Sequence, residues 1–307
     1  MNYQQILKEI EKEIQPSLQK GKVADYIPAL AEVDPNQFAM TITLKSGEQF
    51  SVGKSQEDFS IQSISKVLAF SLAINIYSKS LYKRVGVEPS GNAFNSLVQL
   101  EYEQGIPRNP FINAGAIVVM DALMSHYGGD YLALEKILNF ARDISANQEI
   151  KFDSTVAKSE MEYASRNLSL AHLMKSFGNF DNDVRNVVQT YFKQCAIVMN
   201  TENLSRAMLY LAFDGTDPIN GRSFLNELQA KRVNALMLTC GHYDASGEFA
   251  YNVGLPGKSG VGGGIVAVVP DVMSIAVWSP RLNSYGNSYA GTLALQMFTS
   301  KTGLSIF

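Results

Sequence analysis

The chain is poor in cysteine, histidine and net charge, and it has no long apolar run. Only two cysteines, Cys195 and Cys240, occur among its 307 residues. They fit no metal-ligand spacing and make no disulfide framework, so they read as buried thiols of a reducing cytoplasm. The three histidines are His126, His172 and His242. His126 precedes a Tyr-Gly-Gly turn and His172 lies in a helical pattern, so both read as structural or exposed. A Ser-His-Asp enzyme or a histidine-rich metal site has little to draw on, and neither metal nor cofactor is expected. The formal net charge of −3 comes with no basic stripe for nucleic acid and no acidic tail. No apolar run approaches the ~18–20 residues of a membrane span. Charges interrupt the N-terminus every few residues, unlike a signal peptide. The expectation is a cytoplasmic globular protein that binds neither nucleic acid nor membrane.

What is present is an ordinary core-forming composition, 46% apolar and 18% charged, long enough for one large domain with a subdomain or for two modest domains. Ile6, Ile10, Ile14 and Leu18 recur every four residues and predict an amphipathic first helix over about 3–19. Alternation over 38–44, a Lys45-Ser-Gly-Glu48 turn and a return over 49–53 predict a β-hairpin. A helix over about 63–76 follows. From about 81 to 238 the pattern is mainly helical, with helices over 114–126, 131–145, 170–176, 181–199, 202–213 and 224–239. Turn clusters such as Glu88-Pro-Ser-Gly91 separate them. After Tyr243 a Gly-rich stretch, strands over 265–269 and 273–278 and a last helix over about 287–300 complete the chain. Strands at both ends and helices between them predict an α/β chain of the α+β type, with one antiparallel sheet flanked by helices and an all-helical lobe. The lobes are expected at about 22–75 plus 243–307 and at about 76–242, within a single catalytic domain over 1–307.

The clearest chemical signal is Ser63 with Lys66. Residues three apart on a helix share a face, so a hydroxyl and an amine stand side by side. Such pairs serve acyl transfer in serine enzymes that use lysine as the base. The spacing alone is weak: Ser17/Lys20, Ser51/Lys54 and Ser80/Lys83 share it, and about one such pair is expected by chance in this length. Only Ser63/Lys66 opens a helix that turns apolar at once, Val67-Leu-Ala-Phe-Ser-Leu-Ala-Ile74. The first turn of a buried helix has free N–H groups and a positive dipole end, which favour an alkoxide and disfavour an ammonium. A lysine there is pushed below its usual ~10.4 and toward base strength near neutrality.

An oxyanion hole needs a second N–H from a strand beside the serine, and Lys-Ser/Thr-Gly triplets supply one in Ser-x-x-Lys enzymes. Three occur, Lys45-Ser-Gly47, Lys258-Ser-Gly260 and Lys301-Thr-Gly303. The first is a hairpin turn and the third is at the tail. Only the second falls between the helical region and the last hairpin, and Gly260, Gly262, Gly263 and Gly264 permit close backbone approach.

Six segments taken together closely resemble the serine-dependent glutaminase family. They are Lys22-Val-Ala-Asp-Tyr-Ile-Pro28, Gln62-Ser-Ile-Ser-Lys66, Glu88-Pro-Ser-Gly91, Asn109-Pro-Phe-Ile-Asn-Ala-Gly-Ala-Ile117, Ser159-Glu160…Arg166-Asn167 and Gly254-Leu-Pro-Gly-Lys-Ser-Gly-Val-Gly-Gly-Gly264. The resemblance runs in order through nearly the whole chain. It implies a β-lactamase/DD-peptidase-like fold, L-glutamine as substrate and a homo-oligomer, a dimer or tetramer. It also implies Ser63 as nucleophile and Lys66 as its base. Tyr191 and Tyr243 are implied as substrate contacts and proton carriers. Tyr26, Gln62, Asn113, Glu160 and Asn167 are implied as substrate contacts, and Val261 as a backbone donor to the oxyanion.

The residue types suit that substrate. A glutamate suits the ammonium of a free amino acid, and amides and a tyrosine hydroxyl suit its carboxylate or carboxamide. Two rivals stay open at this point. One is a β-lactamase or peptidase on the same fold, which would share Ser63, Lys66 and Lys258. The other is an amino-acid sensor without turnover.

Overall fold

A computed structural model describes residues 1–90 and 96–307; the last residue of the 88–91 turn lies outside them. The strands are β1 (Ala39–Leu44), β2 (Gln49–Gly53), β3 (Phe59–Ser60), β4 (Lys151–Phe152), β5 (Ile197–Met199), β6 (Gly257–Ser259), β7 (Gly264–Val269) and β8 (Met273–Trp278). Both ends of the chain meet in one antiparallel sheet of order β2-β1-β8-β7-β6. A small second sheet, β3-β5-β4, lies between distant parts of the chain.

The chain opens with α1 (Tyr3–Ile14), which buries Leu7, Ile10 and Ile14, and Asn2 caps it by accepting from the Gln5 N–H. The short α2 (Pro28–Ala31) precedes the hairpin. After β3 come α3 (Ser65–Tyr77), α4 (Leu97–Tyr102), α5 (Asn113–Tyr127), α6 (Asp130–Ser145), α7 (Ser154–Glu162), α8 (Ser165–Ser176) and α9 (Val184–Cys195). Then follow α10 (Thr201–Ala207), α11 (Leu209–Ala212), α12 (Glu227–Cys240), α13 (Ser246–Asn252) and α14 (Tyr289–Thr302).

Both faces of the sheet are covered, and the period of two in a strand divides its side chains between them. Ile265, Ala267 and Val269 join Met40, Ile42, Met273 and Ile275 in a core under α1 and α14. Val266, Val268, Ala276 and Trp278 turn the other way, into the large helical core that also holds most of α3 and α5. On that second face Thr41 and Thr43 meet Thr201 and Ser205 of α10 at 2.9 and 2.6 Å, so the buried hydroxyls are satisfied.

Several boundaries differ from those read in the sequence, each for a local reason. The helix expected from 63 begins as a tight 3₁₀ turn, Gln62–Ile64, and the α-helix proper starts at Ser65. Gln62 stands at φ 48, which breaks the helical path as the chain leaves β3. The helix expected over 181–199 is capped by Asp183 and ends at Cys195. The apolar run 197–199 is instead β5, recruited by pairing with β3 and β4. The helix expected over 202–213 is interrupted at Met208. Asn226 and Gln229 form a capping box that sets the start of α12 at Glu227. The elements α2, α4, α7, α13, β4 and β6 were not read from periodicity. Each is short, and β6 is built on Gly257-Lys258-Ser259 inside the Gly-rich stretch.

Candidate active site

Ser63 lies in the 3₁₀ turn between β3 and α3, and Lys66 lies in the first turn of α3. Lys66 is 1% exposed. Its amine donates to the Phe111 carbonyl at 3.0 Å and to Asn113 Oδ1 at 2.8 Å. Burial pulls its pKa down to about 8, against the opposing influence of Cys195 and Glu160. The Asn113 amide donates to Asn167 Oδ1 at 3.1 Å, and the Tyr191 hydroxyl lies 3.4 Å from Asn113 Oδ1. Helices α3, α5, α8 and α9 are thereby tied together around one polar centre.

The Gly-rich loop comes in from the sheet edge. Gly260 N–H donates to Gly264 O, and the Trp278 indole donates to Gly262 O at 3.0 Å. A Cβ on Gly260 would stand 2.4 Å from Ile61 O, and one on Gly262 would stand 2.1 Å from Ser60 O. Glycine is required at both positions because the loop lies directly against the backbone that delivers Ser63. Tyr243 sits in a 3₁₀ turn after α12. Its hydroxyl is hydrogen-bonded to the Ser63 side chain and to the Val261 backbone, and burial keeps its pKa well above the usual tyrosine value. The tyrosine oxygen therefore rests between the serine and a backbone donor.

A cavity of about 190 Å³ opens beside these groups. It is smaller than the ~300–1,000 Å³ pockets of drug-sized ligands and suits a small metabolite. Tyr26, Gln62, Ser63, Asn113, Glu160, Asn167, Tyr191, Tyr243 and Val261 all line it. The candidates named from sequence are thus gathered from seven separate regions of the chain, and Lys66 stands just behind Asn113. Tyr26 forms the outer edge and is 57% exposed. Glu160, at the end of α7, is 8% exposed. Burial pushes its carboxyl up to about 8, against the pull of the Gln62 hydrogen bond and of Lys66. Its Oε2 has no hydrogen-bond partner among the described residues.

Ile27, Tyr163, Arg166, Phe192 and Cys195 also line the cavity, and none of them was singled out for the site from sequence. A signal existed for some. Tyr163 and Arg166 bracket the α7–α8 corner between Glu160 and Asn167, and Cys195 lies one helical turn after Tyr191. Burial raises the Cys195 thiol to about 12, so it stays protonated and packs as a wall. The histidines do not line the cavity. His126 and His172 are exposed, while His242 is buried and stacks on Phe249 at 3.5 Å between ring centres. No His, Cys, Asp and Glu cluster suited to a metal ion occurs among the described residues.

An antiparallel sheet covered by helices, a helical lobe and a small polar pocket at the start of a buried helix define a mixed α/β protein of the β-lactamase-like fold. Within that class the chain belongs to the glutaminase family, whose family model, described as Glutaminase, matches residues 21–307. A glutaminase of Aliarcobacter butzleri (strain RM4018) is 60% identical over 307 residues, covering all of both chains. The solved structure of a probable glutaminase, ybaS, superposes with a TM-score of 0.94 at 34% identity, covering 99% of this chain and 97% of that one. A Bacillus subtilis glutaminase, solved as a covalent complex with 5-oxo-L-norleucine formed by reaction with 6-diazo-5-oxo-L-norleucine, gives a TM-score of 0.87 at 34% identity. That match covers 99% of each chain.

Proposed function

We propose that this chain hydrolyses the side-chain amide of L-glutamine to L-glutamate and ammonia through a glutamyl-Ser63 acyl-enzyme. One observation carries the reading. A buried carboxylate oxygen with no hydrogen-bond partner among the described residues, Glu160 Oε2, shares a small cavity with a serine hydroxyl at a helix start. Glu160 selects an ammonium at one end of the ligand by a charge-assisted bond. Ser63 waits for a carbonyl at the other end. An amino acid whose side chain ends in a carboxamide satisfies both. The covalent capture of a diazo-ketone amino acid by the Bacillus subtilis relative supports the same placement, since its 5-oxo group corresponds to the side-chain carbonyl of glutamine.

In this reading Lys66 is the general base that accepts the Ser63 proton. Burial makes a neutral amine available near neutral pH. Attack on the carboxamide carbon forms a tetrahedral oxyanion. The backbone N–H groups of Ser63 and Val261 hold it, and the Tyr243 hydroxyl that now bonds Val261 yields that donor to the substrate. Ammonia leaves with a proton delivered through Lys66, with Tyr243 or Tyr191 as carrier. Water then attacks the ester, Lys66 takes its proton, and Ser63 is restored as glutamate departs. Tyr26, Gln62, Asn113 and Asn167 orient the amino-acid head and the amide by neutral hydrogen bonds. The sheet lobe and the helical lobe act as one catalytic unit, with the site where they meet, and the enzyme works in the cytoplasm as a homo-oligomer.

The test is ammonia release from L-glutamine and L-asparagine, together with opening of a chromogenic β-lactam, by wild type and Ser63→Ala. Release from glutamine only, abolished by the substitution, is expected. Turnover of the β-lactam would favour the peptidase-like reading, glutamine binding without release would favour a sensor, and full activity in Ser63→Ala would refute the mechanism.

A further inference from the structure

The reaction proposed above leaves one buried amine unused. Lys258, in β6, is 0% exposed, so it touches no substrate. Its Nζ donates to the Gly241 carbonyl at 2.9 Å and to the Ser259 carbonyl at 2.6 Å. The Gly241 carbonyl also accepts the Ser259 N–H at 3.1 Å. The ring of Tyr243 lies 4.7 Å from this amine and that of Phe111 lies 6.0 Å away. Phe111 is the residue whose carbonyl holds Lys66.

The two carbonyls are placed with consequence. Gly241 comes two residues before Tyr243, and Ser259 comes two residues before Val261. The backbones are pressed together here, so that a Cβ on Gly241 would stand 1.7 Å from Gly257 O. Tyr243 itself stands at φ 54, a sparsely populated conformation for a residue with a side chain. Such a conformation persists only where the surroundings over-determine it.

An amine in this position is costly. A methionine of the same length would pack among the same groups without the loss of hydration. Burial, with the charge of nearby Lys66, holds the Lys258 pKa well below the usual lysine value. Two buried carbonyls face the amine, and it donates to both. The side chain therefore acts as a clamp between two backbone segments.

We propose that Lys258 is a positioning residue for the Ser63 reaction. Its two hydrogen bonds lock the turn that carries Tyr243 to the strand that leads to Val261, and so hold the Tyr243 hydroxyl and the Val261 N–H against Ser63. The inference rests on the reading of Ser63 as nucleophile. Lys258 transfers no proton and meets no ligand.

The experiment compares steady-state glutamine hydrolysis by wild type, Lys258→Met and Lys258→Arg, with thermal unfolding of each. In Lys258→Met, kcat falls by roughly 100-fold or more, the scale of a lost oxyanion donor, while KM stays within about threefold because the residues that bind the head are untouched. Lys258→Arg keeps donors on the site and runs faster than Lys258→Met. Four results would overturn the proposal: a kcat in Lys258→Met within about threefold of wild type, a loss confined to KM, a Lys258→Met chain that does not fold, or a Lys258→Arg enzyme no faster than Lys258→Met. The wild-type arm separates the two levels. A wild type that releases no ammonia refutes the reaction, whereas an active wild type beside an equally active Lys258→Met refutes only the clamp.

Discussion

Lys66 and Glu160 are shifted toward each other by the same cause. Burial lowers the amine to about 8 and raises the carboxyl to about 8. At pH 7 a lysine titrating near 8 is neutral in roughly one molecule in ten, against roughly four in ten thousand at the unshifted value. That difference is what makes the amine a usable base. The sign of the pH dependence follows. Lys66 must be neutral to take the serine proton, and Glu160 must be ionised to bind the substrate ammonium. Both conditions improve as pH rises through about 8. A pH series of kcat/KM for glutamine is therefore expected to climb from pH 6 through 8 and to flatten only above about 9. In Glu160→Gln, KM rises roughly 10–100-fold, the scale of a lost charged hydrogen bond, while kcat keeps the ascending limb that belongs to Lys66. A profile flat across this range would remove Lys66 from the role of base.

At the level of elements, the site is made at junctions: a 3₁₀ turn before α3, the start of α5, the α7–α8 corner, the turn after α12 and the loop after β6. One close junction is between the Gly-rich loop and the turn carrying Ser63. Gly260→Ala would place a methyl group 2.4 Å from Ile61 O and 3.3 Å from Ser63 N. Backbone must then move, and Val261 moves with it. The expected result is a kcat lower by roughly 10²–10³ in a chain that still unfolds in one cooperative transition, measured by paired kinetics and calorimetry. Wild-type kcat in Gly260→Ala would show that the loop does not depend on this contact.

These junctions also mark where sequence reading stops. Long periodic segments such as those leading to α1, α5 and α6 are visible because their apolar spacing is local. The strand at 197–199 is not, because three apolar residues after a helix read as more helix until two partners from elsewhere in the chain pair with them. The turn at Gln62 is hidden for a similar reason, since a φ of 48 at a glutamine answers to tertiary contacts that no local pattern encodes.

For the molecule as a whole, the sheet closes the two chain ends on each other, and the helices between them form the opposite wall of the pocket. That arrangement was legible in outline from strands at both ends and helices between. The choice of Ser63/Lys66 among four equal spacings rests on the apolar helix that follows, and that helix is α3, buried along most of its length. The gathering of Asn113, Glu160, Asn167, Tyr191 and Tyr243 around that pair was accessible only by resemblance to a family. Contacts such as Lys66 to Asn113, 47 residues apart in the chain, depend on how α3 and α5 pack, and spacing carries no record of that. Cys195 was recognised as a buried thiol, and its burial holds, but its place on the cavity wall was not foreseen.

The claim on which the account turns is that Ser63 becomes acylated by the substrate. It is tested most directly by mixing enzyme with L-glutamine, quenching in acid within the first turnovers and mapping the adduct by peptide mass spectrometry. The account predicts a glutamyl group on the peptide that contains Ser63, lost when water is given time to act and absent from Ser63→Ala. A glutamyl group on Cys195 or another residue, or steady turnover by Ser63→Ala, would contradict it.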